Sequence, residues 1–568
     1  MNYISISRNL LFIFSLLILF SCKPSPEKEG MQSNSNKPNI LLIVADDLGF
    51  SDIEPFGSKI IKTPEIDKLA RGGMLFANFH VLPTCSPTRS ALLTGNDNHV
   101  AGLGIMSELD YPQLRELNLP GYAGALSKQV VTIPELLRTV GYNTYMTGKW
   151  HLGEEQGENP FDRGFEETFI LGTGGGSHFN DERALSPLQH MDYTRNGKEV
   201  ELPTDFYSTK NYTDSLLHFI DMHKEDKKPF FAYLAYTAPH DPLHAPEEYI
   251  KKYKGKFDDG WDALRLSRLE NLKALGLMPE QLNNFAPNPM IPKWETLSKK
   301  QQQAFARDME VYAAMVEYVD MSIGRVINYL KENGMYDNTM IFFFSDNGAN
   351  GAVASTYPGN EDGKYLSTFN NEMDNRGLKG SYIAMGPGWA QAVSSPLRLF
   401  KTFTTEGGIR APLIIKTPGT NNTPGKWNYS FVHVTDIMPT LLELTGATYP
   451  EEFNGHKIHG LIGKSILPIL TGKVQSVHDN TGMGYELFEM KAYIKGKWKI
   501  LRLPQPFGAG YWQLYNLEVD PGEINDVSDQ HPEIKEELIE EWMHYSKTNE
   551  VFDHKGHYDS LYIRSYGQ

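Results

Sequence analysis

Asn39-Ile-Leu-Leu-Ile-Val-Ala-Asp-Asp47 is the stretch on which the fold turns. Residues 40–45 are apolar without a break. A strand with one wet face alternates polar and apolar residues, so an unbroken run predicts a central strand covered on both sides. The run ends abruptly in two carboxylates. The same design recurs downstream. A short strand at 142–146 leads into Thr147-Gly148-Lys149-Trp150-His151, and an apolar strand at 230–236 leads into Thr237-Ala238-Pro239-His240. A third, at 340–344, leads into Ser345-Asp346-Asn347-Gly348, and residues 413–416 read as one more strand. Helical patterns lie between them. Thr132-Ile-Pro-Glu135 has the form of a capping box, with Leu136, Leu137 and Val140 on one face and Gly141 as the stop. Residues 299–333 and 435–444 predict further helices, the latter stopped by Gly446. Strands alternating with helices predict an α/β domain on a mostly parallel sheet. In such sheets ligands bind beyond the carboxyl ends of the strands.

Four strands each deliver polar residues at that end: Asp46 and Asp47, Lys149 and His151, His240, and Asp346 and Asn347. One Asp-Asp pair after a strand also reads as a turn or a helix cap. Four such clusters read as one site. The carboxylates and the Asn347 amide are hard oxygen donors, which favour Ca²⁺ or Mg²⁺ over Zn²⁺. Arg89, Lys149 and Lys401 add fixed positive charge, and His151 and His240 add titratable groups. With a divalent cation present, such a pocket is net positive although the whole chain carries −16. It suits an anionic substrate group held by cations that also stabilise a transition state.

The acidic balance excludes nucleic acid as a bulk partner. The length of 568 residues exceeds one ordinary domain. The first 22 residues read as an export signal. Arg8 supplies the positive region, and the apolar run at 10–20 is too short to span a membrane. It ends in Leu19-Phe20-Ser21-Cys22, which resembles a bacterial lipobox whose cysteine is lipidated. Residues 23–37, rich in Pro, Ser, Glu, Lys and Asn, read as a flexible tether. The expectation is an exported bacterial lipoprotein, anchored in the periplasm or at the outer membrane. A catalytic domain is expected over 38–480 and a smaller C-terminal α+β subdomain over 481–568. In the latter, residues 492–501 and 511–517 read as antiparallel strands and 532–546 as an amphipathic helix. Of the two cysteines in the chain, Cys85 is then left unpaired in an oxidising compartment.

Cys85-Ser-Pro-Thr-Arg89-Ser-Ala-Leu-Leu-Thr-Gly95 resembles the signature of the type I sulfatases. The blocks at 39–49, 148–153, 238–240, 345–348 and Lys401 with 405–410 are similar to sulfatase blocks, in the same order. The flavour is that of the bacterial arylsulfatase branch, notably at Pro387-Gly388-Trp389-Ala390 and at 395–399. The resemblance implies an alkaline-phosphatase-like fold and hydrolysis of aryl or carbohydrate sulfate esters. It implies that a formylglycine-generating enzyme oxidises Cys85 to formylglycine, hydrated to a gem-diol, so that no thiol remains. Asp46, Asp47, Asp346 and Asn347 would hold one Ca²⁺ per chain, with residue 85 completing the shell. Arg89 and Lys149 would steady the sulfate and residue 85, His151 would act as base, and His240 as acid with Lys401 beside the bridging oxygen.

Two other functions fit the same sequence: a phosphate or phosphonate ester hydrolase, and a non-catalytic, lipid-anchored binding protein. The glycine-rich Gly172-Thr-Gly-Gly-Gly-Ser177 lacks nucleotide-loop spacing and reads as a loop passing near the pocket. His178, just after it, is a candidate for lining the substrate site.

Overall fold

The computed structural model describes residues 37–108, 119–153, 155, 157–288, 290–419 and 424–552. The segments expected as an export signal and tether, with Cys22, lie outside the described residues except for Lys37. Eleven strands among the described residues form the main sheet. They are β1 (Asn39–Ala45), β2 (Met74–His80), β3 (Asn143–Lys149), β4 (Glu167–Leu171), β5 (Tyr193–Arg195) and β6 (Lys198–Glu199), then β7 (Phe230–Ala235), β8 (Thr339–Ser345), β9 (Arg410–Lys416), β10 (Lys426–Asn428) and β11 (Val432–His433). The spatial order is β10-β2-β9-β8-β1-β7-β3-β4-β5-β6, with β11 also paired to β2. The centre, β8-β1-β7-β3-β4, is parallel throughout. The strand β9 runs antiparallel to both β8 and β2, so the sheet is mixed but mostly parallel.

All of β3, β7, β8 and β9 is buried, as is β1 after Asn39. Successive side chains point to opposite faces, so both faces of the sheet centre are covered. The helix Ser208–Met222 packs on β3 and β7, and Pro64–Gly72 packs on β9. The long helix Lys299–Glu332 lies against both of them. It opens with a full capping box from Ser298 and Gln301. The capping box expected at Thr132 and Glu135 is present on the helix Ile133–Thr139. The segment at 435–444 becomes a 3-10 turn, Val434–Asp436, continuing into the helix Ile437–Thr445, closed by Gly446 in a left-handed conformation.

Met74–His80 was not expected as a strand; it carries the outer part of the sheet. The second sheet also departs from expectation. Residues 492–501 are not one strand but two, Met490–Lys495 and Trp498–Arg502, joined through Gly496 at φ 58°. Only a residue without a Cβ enters that turn at low cost, and the aromatic, β-prone run around it hides the reversal. With Met483–Leu487 and Gln513–Asn516 these strands form a four-stranded antiparallel sheet covered by the helix Pro532–Thr548. The hydrophobic core runs without interruption from β1 into this sheet, through Tyr485, Ala492 and Leu501.

Gly148 shows how tightly the central strands are held. Its φ is 108°, and a Cβ there would overlap the carbonyl oxygen of Ala235 on β7. Gly148→Ala is expected to destabilise the protein by at least about 2 kcal/mol, because overpacking and backbone strain act together. A denaturant titration showing wild-type stability would contradict this.

Candidate active site

The helix Cys85–Thr94 begins at Cys85, and every residue of it is buried. Cys85 and Arg89 are four residues apart, so they share one face one turn apart. The first turn of a helix also favours negative charge, through its unpaired N–H groups and the helix dipole. This places residue 85 where an oxyanion is tolerated. The four parallel neighbours β8, β1, β7 and β3 bring Asp346 and Asn347, Asp46 and Asp47, His240, and Lys149 and His151 to the same end of the sheet.

The residues meet in one network. The Cys85 thiol lies 3.4 Å from Asp46 Oδ1 and 4.0 Å from Asp47 Oδ1. Lys401 Nζ donates to Cys85 Sγ at 3.1 Å and to Asp47 Oδ1 at 2.8 Å. Lys149 Nζ donates to Asp46 Oδ2 at 2.6 Å. Arg89 places Nε and Nη2 on Asp346 Oδ2 at 2.9 and 2.7 Å, and Nη2 3.4 Å from Asp46. His240 Nε2 lies 3.4 Å from Asp47 Oδ2. All these groups are buried. Three carboxylates and three fixed cations are thus withdrawn from water together, which is tolerable only because they pair.

The donor set fits a divalent cation. One oxygen or sulfur each from Asp46, Asp47 and Cys85 and a ring nitrogen of His240 lie within 4.8 Å of one another. Asn347 uses its amide nitrogen on Asp47 Oδ1 at 2.6 Å, and its Oδ1 is buried without a partner. An orphaned amide oxygen beside crowded carboxylates is the donor a hard cation lacks elsewhere. Asp346 is engaged at both oxygens. Its Oδ1 accepts from the Asp47 backbone N–H at 3.3 Å, while Oδ2 faces Arg89. Burial and then the neighbouring Asp46 charge push its pKa up to about 6. Burial likewise opposes ionisation of Asp46, but Lys149, His240 and Arg89 outweigh it and hold Asp46 well below the usual carboxylate range.

Asp47, His151 and Thr402, the residue after Lys401, all have positive φ, at 65°, 59° and 76°. Non-glycine residues hold such conformations only where the surroundings impose them, and they gather at functional sites.

Residues beyond the expected set also shape the site. Glu108 accepts from His151 Nε2 at 2.9 Å. Burial disfavours the imidazolium, yet the Glu108 charge overrides it and raises the His151 pKa. Gly174 and Gly175 of the glycine-rich loop lie against the two histidines: a Cβ would stand 2.9 Å from His151 Nε2 and 3.2 Å from His240 Nδ1, respectively. The second sheet contributes from behind. Lys499 Nζ donates to Glu406 Oε1 at 2.8 Å, and the Glu406 backbone N–H donates to Glu523 Oε2 at 3.0 Å. That pins the segment following Lys401. The glycine-rich run and the 405–410 block are visible along the chain, but no local pattern marks Glu108, Lys499 or Glu523.

His178 differs from the expectation that it lines the substrate site. Its Nδ1 pairs with Ser208 Oγ at 2.6 Å and its Nε2 with the His240 carbonyl at 3.0 Å, so neither nitrogen is free. Burial, then the nearby His244, pushes its pKa down to about 3, and the ring is neutral. It supports the His240 backbone.

Comparison with known proteins gives a consistent result. The sulfatase family profile matches residues 38–447, and that of the C-terminal region of N-sulphoglucosamine sulphohydrolase matches 398–548. An uncharacterized sulfatase of Schizosaccharomyces pombe is 43% identical over 533 residues, covering 90% of this chain and 94% of that one. An arylsulfatase of Klebsiella aerogenes is 39% identical over 450 residues, covering 78% of this chain and 94% of its own. Among solved structures, Ps i-CgsB in complex with k-i-k-neocarrahexaose superposes with a TM-score of 0.65 at 27% identity, over 93% of this chain and 98% of that one.

Proposed function

The chain belongs to the sulfatase family and is a sulfuric ester hydrolase, and from that premise we propose that it cleaves aryl or carbohydrate sulfate esters at residue 85, matured to formylglycine, beside one bound Ca²⁺. The observation that carries the proposal is the position of Cys85, at a helix start and within 3.1–4.0 Å of Lys401, Asp46 and Asp47. Here the sulfur stands in for an oxygen of the hydrated aldehyde. That group, once formed, supplies one hydroxyl to attack sulfur and a second to release sulfate. Cys85 is 1% exposed in the folded chain, so on this reading its oxidation takes place before the chain has folded. Asp46, Asp47, Asp346 and Asn347 would hold the cation, which supplies Lewis-acid stabilisation of oxygen charge.

The side chains divide the remaining work. Burial opposes the charge on Lys149 and on Lys401, but Asp46 and Asp47, respectively, overcome it, so both amines stay protonated. With Arg89 they provide fixed positive charge for an equatorial sulfate oxygen, in a site that cannot reorganise like water. His151, backed by Glu108, accepts the proton from residue 85 when sulfate leaves. His240 Nε2 delivers a proton to the departing oxygen. We also propose export and tethering through Cys22, supported by the lipobox-like sequence alone. Among the described residues no helix is long and apolar enough to cross a membrane.

The test is a comparison of substrates. A nitrophenol leaves readily as its anion and a sugar alkoxide does not. His240→Ala is therefore expected to lose about 10²–10⁴-fold more on a sulfated sugar than on nitrophenyl sulfate, the range of general acid catalysis. Equal losses, measured where S–O cleavage limits the rate, would remove His240 from the acid role. Turnover of aryl phosphate as fast as aryl sulfate would move the proposal to a phosphate ester hydrolase.

A further inference from the structure

The residue after His240 is a buried carboxylate that the site as described does not use. Asp241 is 2% exposed. Its Oδ1 accepts from Asn350 Nδ2 at 2.5 Å, and its Oδ2 accepts from the Tyr357 hydroxyl at 2.8 Å. Asn350 also donates to the Tyr357 oxygen at 3.1 Å, and its own Oδ1 takes the Ala352 N–H at 3.0 Å, so the amide orientation is fixed. Burial and the Asp241 charge keep the Tyr357 phenol protonated, as a donor. Among the described residues no lysine or arginine forms an ion pair with Asp241. Its basic neighbour is His240, whose Nδ1 lies 3.7 Å from Oδ1 and 2.5 Å from the Asp241 carbonyl.

A buried carboxylate without a fixed cation is costly unless its oxygens are hydrogen-bonded, and Asn350 and Tyr357 meet both of them. We propose that Asp241, held by Asn350 and Tyr357, is the positioning residue of His240. The Asp241 carbonyl accepts from Nδ1, which leaves Nε2 facing the reacting atoms. The Asp241 carboxylate, gripped by Asn350 and Tyr357, fixes the turn that presents this carbonyl and so sets the direction of the ring. His178 holds the His240 backbone from another side, and Gly175 leaves room for the ring, since a Cβ there would stand 3.2 Å from Nδ1. Asn350 and Tyr357 follow β8, beyond Asp346 and Asn347, so the network also locks the acid to the strand end that carries two of the proposed cation ligands.

This inference rests on the reading of His240 as the acid, and the test separates the two. The rate constant kcat/KM is measured for aryl sulfates of graded leaving-group acidity in His240→Ala, Asp241→Asn, Tyr357→Phe and the double variant His240→Ala/Asp241→Asn. Asp241→Asn is expected to lose about tenfold more on the poorest leaving group than on nitrophenyl sulfate, less than the 10²–10⁴ of a whole general acid. Tyr357→Phe should shift the same way by less, and it carries the test if Asp241→Asn does not fold. In the His240→Ala background, Asp241→Asn should add no further leaving-group dependence. A uniform loss on all substrates, or a dependence that persists without His240, would leave Asp241 as a structural residue and overturn the inference. If His240→Ala itself shows no leaving-group dependence, the acid reading falls and this inference falls with it.

Discussion

Cys85→Ser is expected to lower turnover by about four orders of magnitude or more, the scale seen when a nucleophile is deleted from a preorganised site. The fold should survive. Serine is nearly the size of cysteine, the position is the first residue of its helix, and no cavity opens. The serine hydroxyl still faces Lys401 and Asp46, so a first attack on sulfur remains feasible. What it lacks is a second hydroxyl on the same carbon. The variant should therefore retain sulfate as a serine ester, visible as a mass gain of one SO₃ on the peptide that contains residue 85. The same peptide from active wild-type protein should carry the aldehyde or its hydrate. Full activity with an unmodified thiol would rule out this mechanism.

Removing the cation should be nearly as damaging. Chelation is expected to abolish activity, and Ca²⁺ to restore it. Binding also stabilises the folded chain, by about 2.7 kcal/mol at a hundredfold excess over Kd. A calcium-dependent rise in unfolding temperature thus reports binding without any assay of catalysis. Asp346→Ala should abolish that rise. It should also destabilise the cation-free protein by about 3–5 kcal/mol, because it strips buried Arg89 of the carboxylate on which two of its N–H groups converge. Full activity after exhaustive chelation would contradict the metal assignment. A variant that loses activity but keeps its calcium-dependent stabilisation would place Asp346 with Arg89 and not with the cation.

Much of the fold was legible along the chain. The apolar runs that became β1, β7 and β8 are five to seven residues long and end in polar residues, and that signal is local. So is the capping box at Thr132, and so is the spacing of four between Cys85 and Arg89, which a helix converts into a shared face. The two hairpin strands around Gly496 were less legible, because a run of β-prone residues reads the same whether or not it reverses.

The amino-acid sequence by itself determined that several buried strands end in acids, bases and an amide, and that a lone cysteine sits one helical turn from an arginine. Tertiary structure alone decided that β8, β1, β7 and β3 are neighbours in that order. It also decided which cation meets which carboxylate: Lys401 with Asp47, 354 residues apart, and Arg89 with Asp346, 257 apart. The same holds for Glu108 on His151, for Asn350 and Tyr357 on Asp241, and for Lys499 reaching Glu406 from the second sheet. An apolar run specifies that a strand is buried but not what lies beside it. Polar loops have no period, so their partners are fixed only when packing brings distant segments together and buried charge must find its counterpart.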